Sequence, residues 1–233
     1  MSTVSLDEFV KPFSRALGRT QVPESIEGID VEHSVQFIVA NAQIPEQIVN
    51  TFVSEAEKIG VLVKTCKPGQ EAQAILEEVR RLDPDNKTIL YAQGEEADSI
   101  GLSRAINQAG LTSVAWDASH GRQMIQEAAG CDVGVTFAYG AIAETGSVVQ
   151  CSSEGSGRSV CTIPPCHVAV VRRSKVFARM GQLLDDLKDA YGADSMPSNI
   201  SVISGPSATA DIELVRVVGV HGPVHTAVVM VED

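Results

Sequence analysis

The chain has 233 residues, 44% of them hydrophobic, with 18 basic against 30 acidic side chains and a formal charge of -12. That length and composition can bury a full core in one main domain, while the acidic excess repels nucleic acid and anionic membrane surfaces. No run approaches the ~20 apolar residues needed to span a bilayer, and Asp7, Glu8 and Lys11 interrupt the apolar core that a signal peptide requires. The sequence predicts a cytoplasmic protein with no membrane span and no nucleic-acid partner.

The first 40 residues read as an appendage with an amphipathic helix, and residues 41–233 as the main domain. In "IPEQIVNTFVSEAEKIG", Pro45 suits a first helical turn. Ile44, Ile48, Val49, Phe52, Val53, Ala56 and Ile59 keep one face apolar until Gly60 stops the helix. "VLVKT" then reads as a short buried strand. The alternation recurs with a helix around Glu71 to Leu82, the strand "TILYA" and a helix around Ser99 to Ala109. "LTSVAW", a helix around Gly121 to Ala129 and "CDVGVTFA" continue it. Strand and helix units of this length predict an α/β fold with an open, mainly parallel sheet flanked by helices.

The pattern changes at "YGAIAETGSVVQCSSEGSGRS", where "SVVQCS" and "HVAVV" read as strands without a full helix between them, giving a hairpin or mixed edge and an "EGSGR" loop. A helix follows in "ARMGQLLDDLKDAYG", with Met180, Leu183, Leu184, Leu187 and Tyr191 on one side and Gly192 at its stop. "NISVISG" and "HTAVVMVED" are the last strands.

Several stretches can carry chemistry. "GPSATADIE" follows a strand and reads as entering a helix, with Gly205 at a sharp turn and Ser207 or Thr209 as caps. Such a start is either an anion cradle or a capped turn in which Asp211 and Glu213 complement the helix dipole. Those two acids are two apart and diverge on a helix, which argues against an acid and base pair built from them alone. In "GVHGP", His221 lies between Gly219 and Gly222 and either moves a proton, binds a ligand or simply occupies a turn. In "AIAETGSVV", Glu144 is a candidate base or nucleophile and Thr145, Gly146 and Ser147 candidate ligand contacts, against the plainer reading of a hairpin turn. Arg158 in "SEGSGRS" is a candidate anion clamp or a solvated loop arginine. His167, leading into "HVAVV", reads as a structural histidine.

The five cysteines, Cys66, Cys131, Cys151, Cys161 and Cys166, form no C-x-x-C pair, so no cluster or zinc spacing is present and reduced thiols are expected. The five histidines show no H-E-x-x-H, and Gly222 and Pro223 separate His221 from His225, so no metal site is expected. A Walker loop and a nucleophile elbow are also absent.

Taken in order, "GVTFAYGAIAETGSVV", "GRSVCTIPPCHVAVV" and "ISGPSATADIELVRVVGVHGP" resemble the lactate utilization protein C family, the LutC/YkgG group of LUD-domain proteins. The resemblance runs over essentially the whole chain and is dense from Gly134 to Asp233. It implies a fold like that of the NagB/RpiA/CoA-transferase superfamily, with residues 41–233 as a LUD-type domain. It also implies a role in oxidation of L-lactate to pyruvate beside two iron-sulfur lactate-utilization proteins, with the clusters in those partners and no cofactor in this chain. The family's recurrent residues fall on Glu144, Thr145, Gly146, Ser147 and Arg158, on Gly205, Pro206, Ser207, Asp211, Ile212 and Glu213, and on Gly219, His221, Gly222 and Pro223. Many relatives carry arginine where this chain has Ala208, so a grip on an anionic ligand falls to another residue here, such as Arg158, or is not made. Two readings of different class follow. One is a non-cluster component of a lactate-oxidizing system that holds a small anionic metabolite near Glu144, Ser207 and His221. The other is a stand-alone small-molecule enzyme of the same superfamily using Glu144.

Overall fold

The computed structural model describes residues 6–16, 18, 45–85, 87–192, 195–209, 217–219 and 222–233. Helix α1 (Leu6–Ala16) falls within the predicted appendage, and α2 (Pro45–Lys58) opens the predicted α/β alternation. Then come β1 (Val61–Cys66), α3 (Glu71–Leu82) and β2 (Thr88–Tyr91). The single helix predicted around Ser99 to Ala109 is instead α4 (Glu95–Ser99) and α5 (Leu102–Gln108). Between them Gly101 takes a left-handed conformation, φ +61°, which ends one hydrogen-bonded run and starts another. After β3 (Thr112–Ala115), α6 (Arg122–Ala129) leads to β4 (Val133–Phe137).

The plainer reading of "AIAETGSVV" holds: β5 (Gly140–Ile142) and β6 (Ser147–Cys151) form a hairpin joined through a 3₁₀ turn at Ala143–Thr145, whereas "SVVQCS" and "HVAVV", expected as a hairpin or mixed edge, fall in different sheets. A short α7 (Ser159–Thr162) precedes β7 (Cys166–Arg172), and β8 (Val176–Phe177), α8 (Met180–Tyr191) and β9 (Ile200–Ile203) follow. A two-stranded ribbon, β10 (Ala208–Thr209) with β11 (Val217–Val218), precedes β12 (His225–Val231).

Six strands form one sheet in the order β1-β12-β7-β4-β2-β3, and each neighbouring pair is parallel. The hairpin builds a second, mixed sheet, β8-β5-β6-β9. Side-chain alternation along the parallel strands separates two cores. Val168 and Val170 of β7 join Val133, Val135, Val229 and Val231 against α3, α4 and α5, whose Ile75, Ala97 and Ile106 close that face. Ala169 and Val171 point the other way with Val228 and Met230, onto Phe52 and Ala56 of α2 and Ala141 and Val148 of the second sheet. On this same side α6 and α7 bring Met124 and Val160 onto Leu90.

Helix α8 covers the far face of the second sheet. Leu183 and Leu187 are fully buried with Ile142 and Val149, a contribution of about 1.5–3 kcal/mol for each side chain. Of the apolar face predicted for this helix only those two are buried, whereas Met180, Leu184 and Tyr191 are exposed to about two-fifths. The second sheet therefore lies sandwiched between α8 and the parallel sheet.

Candidate functional site

The three family-like stretches do meet in space, at the amino edge of the parallel sheet. Strand β6 pairs with β9, Val148 opposite Ile203, and beyond the pairing the Ser147 hydroxyl lies 2.6 Å from that of Ser204 and 2.7 Å from that of Thr145. Gly146 turns the chain at φ +61° against α2, where an added Cβ would lie 2.3 Å from the Ala56 nitrogen. Gly205 presses in the same way on the Ile59 carbonyl, 2.9 Å from the position of its missing Cβ. Gly222 lies against Ser207, and the Ser207 N–H donates to the Pro223 carbonyl at 2.8 Å. Pro165, from the stretch holding Arg158, accepts from the Val224 N–H at 2.7 Å.

This geometry corrects the expectation that Ser207 caps a helix. Ala208 and Thr209 are extended and pair antiparallel with Val218 and Val217. The Ser207 N–H donates to the Pro223 carbonyl and its own carbonyl accepts from the Gly219 N–H, so Ser207 caps no helix here, while the part of the reading that falls on residues 210–216 lies outside the described residues. Asp211, Glu213 and His221 lie outside the described residues.

Glu144 projects from the 3₁₀ turn toward α8. Its Oε2 accepts from Arg179 Nη1 at 3.0 Å, and its Oε1 accepts from the Met180 N–H at 3.4 Å. Carboxylates at a helix amino end satisfy orphan amides and oppose the dipole, so this side chain caps α8. Arg158 is exposed at the head of α7, where its carbonyl accepts from the Thr162 hydroxyl at 3.0 Å.

Among the described residues, space at the amino edge is scarce. The cavity bounded by Val61, Gly146, His167, Gly205 and Thr226 measures about 10 Å³, room for one water and for no metabolite. His167 is fully buried beside it, 2.8 Å from the Thr136 hydroxyl, and burial pushes its pKa down to about 4. It is a neutral structural histidine, as the sequence suggests.

An open cleft of about 760 Å³ lies at the opposite, carboxyl edge. Its position follows from the strand order. The chain leaves β2 toward β3 on one side, but leaves neighbouring β4 for the hairpin and β7 on the other. Adjacent strands whose exits diverge open a crevice, the usual ligand position in open α/β sheets. Residues Ala92 to Glu96 form one wall and Phe137 to Tyr139 the other. The serine-rich loop adds Ser153 and Ser156. This loop is held down by Gln93, whose N–H donates to the Gly155 carbonyl at 2.8 Å, and by Gly157, whose missing Cβ would lie 2.0 Å from the Trp116 ring.

Polar groups converge on the cleft. Gln150 lines it while 96% buried; its Nε2 donates to the Ser156 Oγ at 3.0 Å, and its Oε1 has no partner among the described residues. Arg172, at the end of β7, stands 3.6 Å from a carboxylate oxygen of Glu71 and 3.5 Å from one of Glu96. Lys175 donates to Asp186 at 2.8 Å, and the Tyr139 hydroxyl donates to the same oxygen at 2.6 Å. Burial opposes ionisation of Asp186, but the hydrogen bonds from Lys175 and Tyr139 outweigh it and hold the carboxyl below its usual range. Burial first, then the bond to Asp186, pushes the Tyr139 hydroxyl well up. Glu71 and Glu96 thus hold Arg172, and Asp186 holds Lys175, in place at the rim. Sequence reasoning passed over this set. The available signal was the arginine closing "HVAVVR", the place where a buried parallel strand delivers side chains to a site.

The LUD domain family model matches residues 49–231. The chain belongs to the LUD domain family. Among relatives, the lactate utilization protein C of Halalkalibacterium halodurans is 32% identical over 228 residues, 97% of each chain. That of Bacillus subtilis is 31% identical over 234 residues, 97% of this chain and 96% of the relative. The crystal structure of a DUF162 family protein from Deinococcus radiodurans superposes with a TM-score of 0.56 at 17% identity, over 81% of this chain and 99% of that one. The α/β architecture is therefore shared with a solved structure, and this LUD-domain chain sits within the lactate utilization protein C group. Among its described residues no helix is long and apolar enough to cross a membrane.

Proposed function

We propose that this LUD-domain protein acts in lactate utilization, as the non-cluster component of a cytoplasmic system that oxidises L-lactate to pyruvate. Two iron-sulfur proteins work beside it and carry the clusters. The observation that carries the reading is the match to proteins named lactate utilization protein C along 97% of this chain and of the relative alike. The thiol chemistry supports the cluster-free part. Burial raises the pKa of Cys66 and Cys151, and raises those of Cys131 and Cys161 to about 11, which favours thiols over the thiolates that ligate iron. The acid-rich chain argues against a nucleic-acid role.

The test is reconstitution. The two iron-sulfur proteins are assayed for L-lactate-dependent reduction of an artificial electron acceptor with and without this chain, and the chain alone is examined for iron-sulfur absorption. Loss of turnover on omission, with a cluster-free spectrum for the isolated chain, is expected. Full turnover by the two partners alone would refute the role.

A further inference from the structure

We propose that the carboxyl-edge cleft binds a phosphorylated, hydroxyl-bearing organic anion of nucleotide size. The inference goes beyond the role in lactate utilization and fails independently of it, because direct binding tests the one and turnover of the reconstituted system tests the other.

Size is the first argument. Ligand clefts of ~300–1,000 Å³ hold molecules of drug or cofactor dimensions, and this one measures about 760 Å³. A three-carbon acid such as lactate would leave most of that space to water and touch only one wall. The volume calls for a ligand that spans from the rim to the floor.

The lining supplies the second argument, since the cleft offers both kinds of hydrogen-bonding demand. Arg172 lies within ion-pair distance of Glu71 through Nη1 and of Glu96 through Nε, at 3.6 and 3.5 Å, too long to fill its donors with good hydrogen bonds. A guanidinium held in place with its donors unfilled is suited to bidentate contact with a phosphate. Ser156 accepts from Gln150 Nε2, which leaves its own hydroxyl proton directed elsewhere and available to the same anion. The opposite demand comes from the buried Gln150 Oε1, which accepts and has no donor among the described residues. A bare phosphate cannot supply donors, and a neutral sugar cannot use the guanidinium. A nucleoside phosphate carries a diol, ring or amino N–H groups and phosphate oxygens in one molecule, and it is of the size the cleft measures. Placement at the β2/β4 divergence puts this ligand where open α/β sheets bind theirs.

Isothermal titration calorimetry of the full chain with ADP, NAD, inorganic pyrophosphate, L-lactate and pyruvate tests the proposal. Saturable binding of ADP or NAD is expected, weakened at least ten-fold by Arg172→Gln and by Ser156→Ala and unchanged by Ser204→Ala at the amino edge. Should Arg172→Gln fail to fold, because buried Glu71 loses its cation, the unmodified protein gives a second readout. Cys151 lines the cleft, so ADP or NAD should slow its alkylation by N-ethylmaleimide several-fold. Binding of lactate or pyruvate without either nucleotide, binding of neither nucleotide, or nucleotide binding that Ser156→Ala and Cys151 alkylation do not register would each overturn the assignment.

Discussion

His167 shows how one residue ties burial to pH. The imidazole is fully buried and its pKa falls to about 4, against 6.5 when unfolded. Above pH 6.5 both states are neutral and the histidine favours neither. As the pH drops below 6.5 the unfolded chain takes up the proton first, so stability is lost progressively until about pH 4. The linkage amounts to about 3 kcal/mol in all, ~2 kcal/mol of it gone by pH 5. Urea unfolding of the wild type and of His167→Gln at pH 7 and pH 5 checks this. The variant should lose about 2 kcal/mol less than the wild type over that interval, and equal losses would show that the histidine titrates normally. Its reading as structural was available from the sequence, since a histidine opening a β-branched strand sits at the margin of a core. What could not be read was the partner, Thr136, because only the pairing of β4 with β7 brings the two together.

Among the elements, the β5–β6 hairpin joins the two halves of the structure. Its turn carries Glu144 to the start of α8 and Gly146 to the backbone of α2, so one four-residue connection fixes two helices. Replacing Gly146 with alanine imposes a left-handed φ on a residue with a Cβ and drives that atom into Ala56. Loss of about 3 kcal/mol or more is expected in chemical unfolding, and a loss below 1 kcal/mol would mean that α2 is free to move away. Most elements were legible because the hydrophobic period runs up to a stop signal, Gly60 after Pro45–Lys58 and Pro84 after Glu71–Leu82. The turn at Gly205 was misread for a physical reason. A glycine, a proline and a serine in succession suit a helix start as well as a ribbon, and the decision lay with Val217 and Val218, which pair with Thr209 and Ala208.

At the scale of the molecule, the cleft escapes any local reading because its walls come from five separated stretches that only the strand order β7-β4-β2 assembles. The motifs densest in sequence gather instead at the amino edge, where glycines bring backbones together and, among the described residues, leave a cavity of about 10 Å³. Sequence density thus marked close packing, while the open site was built from Arg172, Lys175 and Gln150, each unremarked in its own segment. The same strand order predicts a gradient in stability. Amides of β7 and β12, flanked on both sides, should be among the slowest to exchange with deuterium, and those of edge strand β9 should exchange faster by at least ten-fold. Comparable rates would mean that the two sheets open as one unit. Strand β12 has a further consequence. It lies between β1 and β7, so Val61 reaches its neighbour Thr226 only across nearly the whole domain. During synthesis β1 must therefore wait without its sheet neighbour until the chain has been made through β12, so this pairing is a late, long-range step in folding.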